Sequence, residues 1–154
     1  MQQKDPFQAQ LEEFKIKPAL KKAILEKGIY YFLKLQQKVI PHILEGKDIV
    51  MQSYCGGGRT LCFIIAVINM IDEIKQSTQA IVMCERRESA YDLLRLFQNY
   101  TTFTQIKLNT CVGGVKRAEK PFEEHIIIGT PGRIAMELSR NKINTEELKI
   151  LVLE

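Results

Sequence analysis

The sequence predicts an α/β domain with a mostly parallel, doubly wound sheet flanked by helices. From Asp48 onward, short apolar runs alternate with helical patterns, which is the rhythm of βαβ units. The runs are nearly continuous rather than alternating, as in strands covered on both faces. The predicted strands are DIVMQ (48–52), QAIVMC (79–84), IKLNTCV (106–112), HIIIG (125–129) and KILVLE (149–154), and the helices between them begin near Thr60, Arg87, Val115 and Pro131.

Two further helices are predicted before the first strand. PALKKAILEKG (18–28) has Pro18 in its first turn and Gly28 as its C-terminal stop. QQKVIPHILEG (36–46) places Val39, Ile40 and Ile43 on one face and ends at a glycine. Its proline suits a helix only within the first turn.

Length and composition favour one intracellular domain. The 154 residues are 45% hydrophobic, so we expect a polar lead over 1–13 and a single domain over 14–154. The four cysteines form no CxxC pair and the two histidines complete no zinc pattern, which indicates reduced thiols. The N-terminus lacks an apolar signal, and the longest apolar run (61–71) is too short for a bilayer. We expect a soluble protein of the cytoplasm or nucleus.

The stretch SYCGGGRT (53–60) predicts a phosphate-binding loop between a strand and a helix. Backbone N–H groups of the glycines and the helix N-terminus suit an anion, Arg59 supplies a cation, and Thr60 suits a magnesium ligand position. The strict G-x-x-x-x-G-K-[ST] pattern is missed at Ser53 and at Arg59. A glycine-rich turn that only closes a βα unit is the alternative.

Three other loops follow predicted strands and carry glycine or arginine: CERRES (84–89), VGGVKR (112–117) and GTPGR (129–133). In parallel sheets such loops meet at the carboxyl ends of the strands, where ligands collect. Thr130 can cap the helix behind the last loop. Each loop alone is typical of an ordinary turn, but the three together indicate contact with a phosphate backbone. The formal charge of +4 is compatible with such a contact.

The order and spacing of these loops resemble the first RecA-like domain of the DEAD-box RNA helicases, over about 14–154. MQSYCGGGRT looks like the family's A-x-x-G-x-G-K-T loop, and IVMCERRESA lies where the family has P-T-R-E-L-A. VGG matches the paired-glycine motif, GTPGRI matches T-P-G-R, and ILVLE looks like the start of V-L-D-E-A-D. Upstream, GIYYFLKLQQKVIPHILEGKDIV resembles the adenine-reading Q motif.

The resemblance implies a function and a set of site residues. Gln36 would hydrogen-bond adenine, Phe14 would stack on it, and Thr60 would hold the magnesium ion indirectly. The full set of residues that would bind ATP with Mg is Phe14, Gln36, Gly56, Gly57, Gly58, Arg59 and Thr60. A single RNA strand would be gripped along its backbone by Arg87, Gly113, Gly114, Thr130, Gly132 and Arg133. A second RecA-like domain would close on this one in the full-length protein.

The chain also departs from the family pattern. Phe32 and Leu33 stand where the family has proline and then serine or threonine, Glu85 replaces a proline, and Arg59 replaces the loop lysine, which keeps charge but not geometry. Glu154 falls at the first motif II aspartate, so the following catalytic glutamate is absent and no complete catalytic set is expected. We therefore expect a partial domain, truncated at motif II, that alone does not turn over ATP.

Two alternatives stay open on the sequence. One is a pseudo-helicase that binds RNA or a protein without hydrolysing ATP. The other is a nucleotide-binding P-loop domain of a different α/β family.

Overall fold

The computed structural model describes residues 11–114 and 120–154. They form two compact units, one ending at Met70 and one beginning at Ile71. The predicted helix near Val115, with Lys116 and Arg117, lies outside the described residues. The prediction of one domain over 14–154 stays a prediction. No helix in the described part of the chain is long and apolar enough to cross a membrane.

The first unit is helical. A short 3-10 helix (Leu11–Glu13) precedes α1 (Pro18–Glu26), α2 (Lys34–Leu44) and α3 (Arg59–Met70). The start and stop of α1 are confirmed, because Pro18 is its first residue and Gly28, at φ +73°, donates its N–H to the Leu25 carbonyl at 2.9 Å. Helix α3 is buried along most of its length, from Cys62 to Ile68.

Helix α2 differs from the sequence expectation at its proline. Pro41 lies inside the helix rather than in its first turn, because α2 already begins at Lys34. A proline this deep removes one ladder hydrogen bond. The helix nonetheless continues past it, since Val39, Ile40 and Ile43 bury a continuous apolar face, and α2 packs on α3.

The predicted strand DIVMQ (48–52) is wrong for the described structure. Residues 47–54 have no regular secondary structure, and Ile49 and Val50 are exposed. An apolar run becomes a strand only when its backbone groups are paired, and these residues have no ladder partner in the described chain. The phosphate-loop candidate therefore follows an irregular segment.

The second unit contains a four-stranded sheet, and the other four predicted strands are confirmed. They are β1 (Ala80–Met83), β2 (Leu108–Cys111), β3 (Ile126–Gly129) and β4 (Ile150–Leu153). The order is β2-β3-β1-β4 and every pairing is parallel. Helices α4 (Arg87–Tyr100) and α5 (Pro131–Ser139) follow β1 and β3, as predicted, and α4 packs on β2 and β3.

The core of this unit lies where the two central strands meet α5. Ile81 and Ile127 are paired in register on β1 and β3, and Ile134 of α5 packs with them. Each of the three is at most 2% exposed. Burial of this kind contributes roughly 1.5–3 kcal/mol per side chain and fixes α5 against the sheet.

His125 sits at the entrance of β3, as the sequence predicts, and is fully buried. Its Nδ1 accepts the Lys107 backbone N–H at 2.8 Å, and its carbonyl accepts from Gln79 and Ala80. Burial lowers the pKa of the imidazole below its ordinary value. The neutral ring thus ties the segment before β2 to β3.

Candidate functional site

The loop before α3 needs each of its three glycines. Gly56 and Gly58 have φ +85° and +83°, a region that other residues rarely adopt. A Cβ on Gly57 would overlap the Ser53 hydroxyl, and the Gly57 N–H donates to the Tyr54 carbonyl at 3.1 Å. A plain βα turn explains one such glycine, whereas three in succession indicate a backbone shaped for a close approach.

The first turn of α3 follows this loop directly. Arg59 is its first residue and is exposed, and Thr60 is half-buried. The leading N–H groups of a helix have no intrahelical acceptor and carry the positive end of its dipole. The loop, Arg59 and the Thr60 hydroxyl therefore fit an anion such as a phosphate group. No set of three or more acidic, histidine or cysteine ligands occurs in the described chain.

Gln36 is connected to this loop by a pair of hydrogen bonds. Its Oε1 accepts the Leu33 N–H at 2.9 Å, and its Nε2 donates to the Gly58 carbonyl at 3.1 Å. The side chain is 4% exposed. The hydrogen bond to Gly58 was not predictable from sequence spacing, because the two residues are 22 positions apart.

Cys62 is a second donor to the same carbonyl, and sequence reasoning missed it. Its thiol lies 3.5 Å from the Gly58 oxygen, one helical turn away. Complete burial raises the pKa of the Cys62 thiol to about 11. The thiol therefore stays protonated at neutral pH and keeps its hydrogen to donate. The remaining cysteines are also free thiols, and only Cys55, in the loop, is exposed.

Phe14 lies in the same unit, packed against Phe32. Their ring centroids are 4.8 Å apart and the planes are nearly perpendicular, at 85°. Both rings are buried, with Phe14 9% and Phe32 1% exposed. Phe32 thus packs against the ring to which the resemblance assigns adenine stacking, and the stacking role of Phe14 stays a prediction.

In the second unit, four strand ends are aligned at one edge of the sheet. Cys111, Gly129, Met83 and Leu153 are paired in register across β2, β3, β1 and β4. The loops VGG, TPGR and CERRE and the residue Glu154 follow these four ends directly. The prediction that these loops emerge at the same edge is confirmed.

The structure brings Arg87 together with the glycine pair that follows β2. A Cβ on Gly113 would lie 3.1 Å from Nη2 of Arg87, and one on Gly114 would lie 2.9 Å from Nη1. Gly114 also has φ +84°. Since β3 separates β1 from β2 in the sheet, the Arg87 side chain spans the end of β3 to reach these glycines. The guanidinium therefore lies close against Gly113 and Gly114, where the lack of a side chain leaves it room.

The TPGR segment follows β3, the strand that lies between β1 and β2 in the sheet. Thr130 is the N-cap residue of α5, and its side chain makes no capping hydrogen bond. Its carbonyl accepts the N–H groups of Arg133 and Ile134 at 3.1 and 3.0 Å. The predicted hydroxyl cap is thus absent, and the Thr130 hydroxyl is not used by the helix.

Arg133 is held by an acidic neighbour that sequence reasoning missed. Its Nη2 lies 2.8 Å from Oε1 of Glu137, one turn along α5, and the two side chains are 21% and 4% exposed. The i,i+4 spacing was the available signal. Glu137 fixes the guanidinium along the helix close to its N-terminus.

The acidic residues assigned to this edge are placed as follows. Glu154 donates its N–H to the Met83 carbonyl at 2.9 Å and is exposed, so it stands beside the end of β1. Glu85 is exposed in the turn between β1 and α4, next to the equally exposed Arg86. Cys84 is buried beneath that turn, where burial raises the pKa of its thiol.

Comparison with known proteins decides the family. A family model described as DEAD/DEAH box helicase matches residues 33–154. The chain belongs to the DEAD/DEAH box helicase family. The predicted membership is therefore confirmed, and a P-loop domain of another α/β family is excluded.

Named relatives and solved structures agree with this assignment. The ATP-dependent RNA helicase fal1 of Neosartorya fischeri is 29% identical over 147 residues, covering 93% of this chain and 37% of the relative. The fal1 of Aspergillus terreus is 28% identical with the same coverage. Saccharomyces cerevisiae Dbp5 bound to RNA and ADP BeF3 superimposes with a TM-score of 0.90 at 27% identity, covering 94% of this chain and 37% of Dbp5.

A DEAD box protein from the hyperthermophile Methanococcus jannaschii superimposes with a TM-score of 0.85 at 27% identity, covering 95% of this chain and 41% of that protein. The RecA-like fold of this helicase family is confirmed. The chain spans little more than a third of the length of these relatives and corresponds to a helicase N-terminal domain.

Proposed function

We propose that this helicase-family chain binds ATP at the glycine loop and the backbone of a single RNA strand at the carboxyl edge of its sheet. The observation that carries the proposal is the close approach of the Arg87 guanidinium to Gly113 and Gly114. This contact lies at the edge of the sheet where the TPGR segment also lies. Arginine over exposed backbone, beside a helix N-terminus, is an arrangement for phosphates rather than for bases.

The nucleotide site is proposed on the shape of the loop. Gly56, Gly57 and Gly58 would hold the β and γ phosphates through their backbone, since Gly56 and Gly58 adopt a conformation that other residues rarely adopt, and the exposed Arg59 would supply charge in place of the family's lysine. Thr60 would hold magnesium, directly or through water, and the metal would neutralise charge on the phosphate oxygens. The adenine contacts of Phe14 and Gln36 stay predictions, since both side chains are buried and already in contact with their own unit.

The RNA site is proposed on charge and on open backbone. Arg87 and Arg133 supply guanidinium groups that bind phosphate in bidentate fashion. Gly132 has open space where a Cβ would stand and would allow the strand to approach, and Gly113 and Gly114 would contact the strand through their backbone. The Thr130 hydroxyl, which does not cap α5, would contact a phosphate oxygen. None of these groups is placed to distinguish one base from another, so the mode is sequence-independent.

The activity of the whole protein belongs to the same proposal. ATP would bring a second RecA-like domain against this one and drive RNA unwinding, with a cytoplasmic or nuclear location. The pseudo-helicase alternative is not favoured, because the curated relatives are named as ATP-dependent RNA helicases.

Equilibrium binding of a fluorescent oligouridine tests the RNA site. Arg87→Ala should weaken binding about tenfold or more, as expected for a charged hydrogen bond worth roughly 1.5–3 kcal/mol. It should also lower the slope of log K against log salt by about 0.7, the value for one phosphate on a single strand. Arg95→Ala is the matched control, since Arg95 is exposed on the same helix and pairs only with Asp92 among the described residues. Equal losses in both variants would contradict the proposed site.

Binding of fluorescent mant-ATP with magnesium tests the nucleotide site. Arg59→Ala should reduce affinity about tenfold, for the same reason. Lys38→Ala removes an exposed cation from α2 in the same unit and should leave affinity unchanged. If both variants bind the nucleotide as tightly as the unaltered chain, Arg59 does not contact the phosphates.

A further inference from the structure

We propose that Glu137 is a positioning residue for RNA binding, because its buried carboxylate holds the Arg133 guanidinium in place for a phosphate of the RNA strand. This inference rests on the proposed RNA site, in which Arg133 contacts the strand, and it adds a residue that acts only through Arg133. The opposite possibility is that the carboxylate competes with RNA phosphates for the same guanidinium.

The pair of Arg133 and Glu137 is buried at its acidic end and open at its basic end. Nη2 of Arg133 lies 2.8 Å from Oε1 of Glu137, and the two side chains are 21% and 4% exposed. A carboxylate buried this deeply is strongly destabilising unless it is paired. Glu137 therefore keeps its partner close, while part of the guanidinium stays open to an anion.

The backbone that carries Glu137 is fixed by packing and by hydrogen bonds. Ile134, one turn earlier on α5, is fully buried in the same core cluster as Phe122. The Glu137 carbonyl accepts the Lys142 N–H at 3.0 Å, and the Lys142 carbonyl accepts the Phe122 N–H at 2.8 Å. The partner of Arg133 thus belongs to the core of its unit and is not a mobile surface group.

A guanidinium held in this way can still bind a phosphate. It carries five N–H donors, and a bidentate pair with a carboxylate engages two of them. Arg133 is the third residue of α5, and the leading N–H groups of this helix attract the same anion. The pairing therefore orients the guanidinium and leaves donors for the RNA backbone.

Two effects of opposite sign determine how Glu137 changes RNA affinity. Its charge repels a phosphate across the width of the guanidinium, and in screened solvent this repulsion weakens binding by about twofold or less. An arginine without a fixed partner loses rotamer freedom when it binds, which weakens binding by about two- to tenfold. Since Glu137 has already ordered Arg133 in the folded chain, the second effect is the larger one.

Equilibrium binding of fluorescent oligouridine to the full chain tests the inference with two variants of equal charge. Glu137→Met removes the carboxylate at similar volume, whereas Glu137→Gln keeps an acceptor oxygen. Glu137→Met should weaken binding about three- to tenfold, and Glu137→Gln should weaken it less. Glu137→Met should also lower the slope of log K against log salt by up to about 0.7, the value for one lost phosphate contact. Glu85→Gln is the control, because it removes one negative charge from the exposed turn after β1 and should not weaken binding.

The Arg133→Ala background shows whether the loss acts through Arg133. Adding Glu137→Met to Arg133→Ala should cause no further weakening, because the group that Glu137 positions is gone. Equal or tighter binding by both single Glu137 variants, or the same weakening in the Arg133→Ala background, would overturn the inference and leave the proposed RNA site intact. Unchanged RNA binding by Arg133→Ala would overturn both the place of Arg133 in that site and the inference.

A measurement on the unaltered chain decides the question if a variant does not fold. NMR relaxation of the Arg133 Nε–Hε group should report an ordered side chain before RNA is added, with little change when oligouridine binds. An order parameter below about 0.6 in the free chain, the range of flexible groups, would overturn the inference.

Discussion

Gly132→Ala should stabilise this domain and weaken its RNA binding. Gly132 is the second residue of α5, and its backbone does not adopt the left-handed region. A Cβ added there meets no atom within 4 Å. The fold therefore has no need of glycine at this position, and we attribute the glycine to the approach of a phosphate group.

The size of each effect follows from this geometry. Alanine is favoured over glycine in a helix by up to about 1 kcal/mol, and less near the first turn. For a chain of this length that gain raises the melting temperature by roughly 2–4 °C. A methyl group that keeps a phosphate from the N-terminal amides of α5 would cost about 1.5–3 kcal/mol of binding, which is tenfold or more in affinity.

The assay combines thermal unfolding followed by circular dichroism with oligouridine binding. Gly129→Ala is the control, because a Cβ on Gly129 would overlap the Cys111 carbonyl in the paired strand. That change should destabilise the protein by about 1–3 kcal/mol or more. The reasoning is refuted if Gly132→Ala binds RNA as tightly as the unaltered chain, or if the two alanines change stability in the same direction.

Three further predictions concern stability. Burial lowers the pKa of His125, so the unfolded chain binds a proton more readily than the folded one. The free energy of unfolding should therefore fall as the pH drops below about 6.5, and this pH dependence should be weaker in a His125→Gln variant. Urea midpoints measured between pH 5 and 8 check this. Glu137→Gln should lower the free energy of unfolding by about 1–3 kcal/mol. The loss is smaller than for a fully buried ion pair because the Arg133 side chain is 21% exposed. An unchanged urea midpoint would contradict this prediction. Leu33→Thr should raise the free energy of unfolding by about 0.5–1 kcal/mol. The threonine hydroxyl can accept the backbone N–H of Gln36 and so complete a capping box, of which only the bond from the Leu33 N–H to the Gln36 side chain now exists. A lower melting temperature would count against this.

Local patterns predicted most of the secondary structure. The four parallel strands, the start of α5 at Pro131 and the stop of α1 at Gly28 were evident from apolar runs, proline and glycine. The run DIVMQ looked no different from these strands, because pairing depends on distant residues and a short apolar run does not encode it. That segment is the one strand prediction that is wrong.

The candidate site was predictable only in part. Parallel pairing brings the loops after β1, β2 and β3 to one edge, so their proximity followed from the fold class. The seat of Arg87 on Gly113 and the bond from Gln36 to Gly58 depend on side-chain conformations that sequence spacing does not fix. The partnership of Arg133 with Glu137 was visible as an i,i+4 pair, yet only the burial of Glu137 shows that it is more than a surface ion pair.

Chemical shift mapping on the 15N-labelled chain tests the central claim most directly, because each ligand is read at its own set of amides. Mg-ATP should shift the signals of residues 56–60, and oligouridine should shift those of 113–114 and 130–133. Unchanged signals from residues 56–60 at saturating Mg-ATP, or RNA-induced shifts confined to residues away from the strand edge, would contradict it.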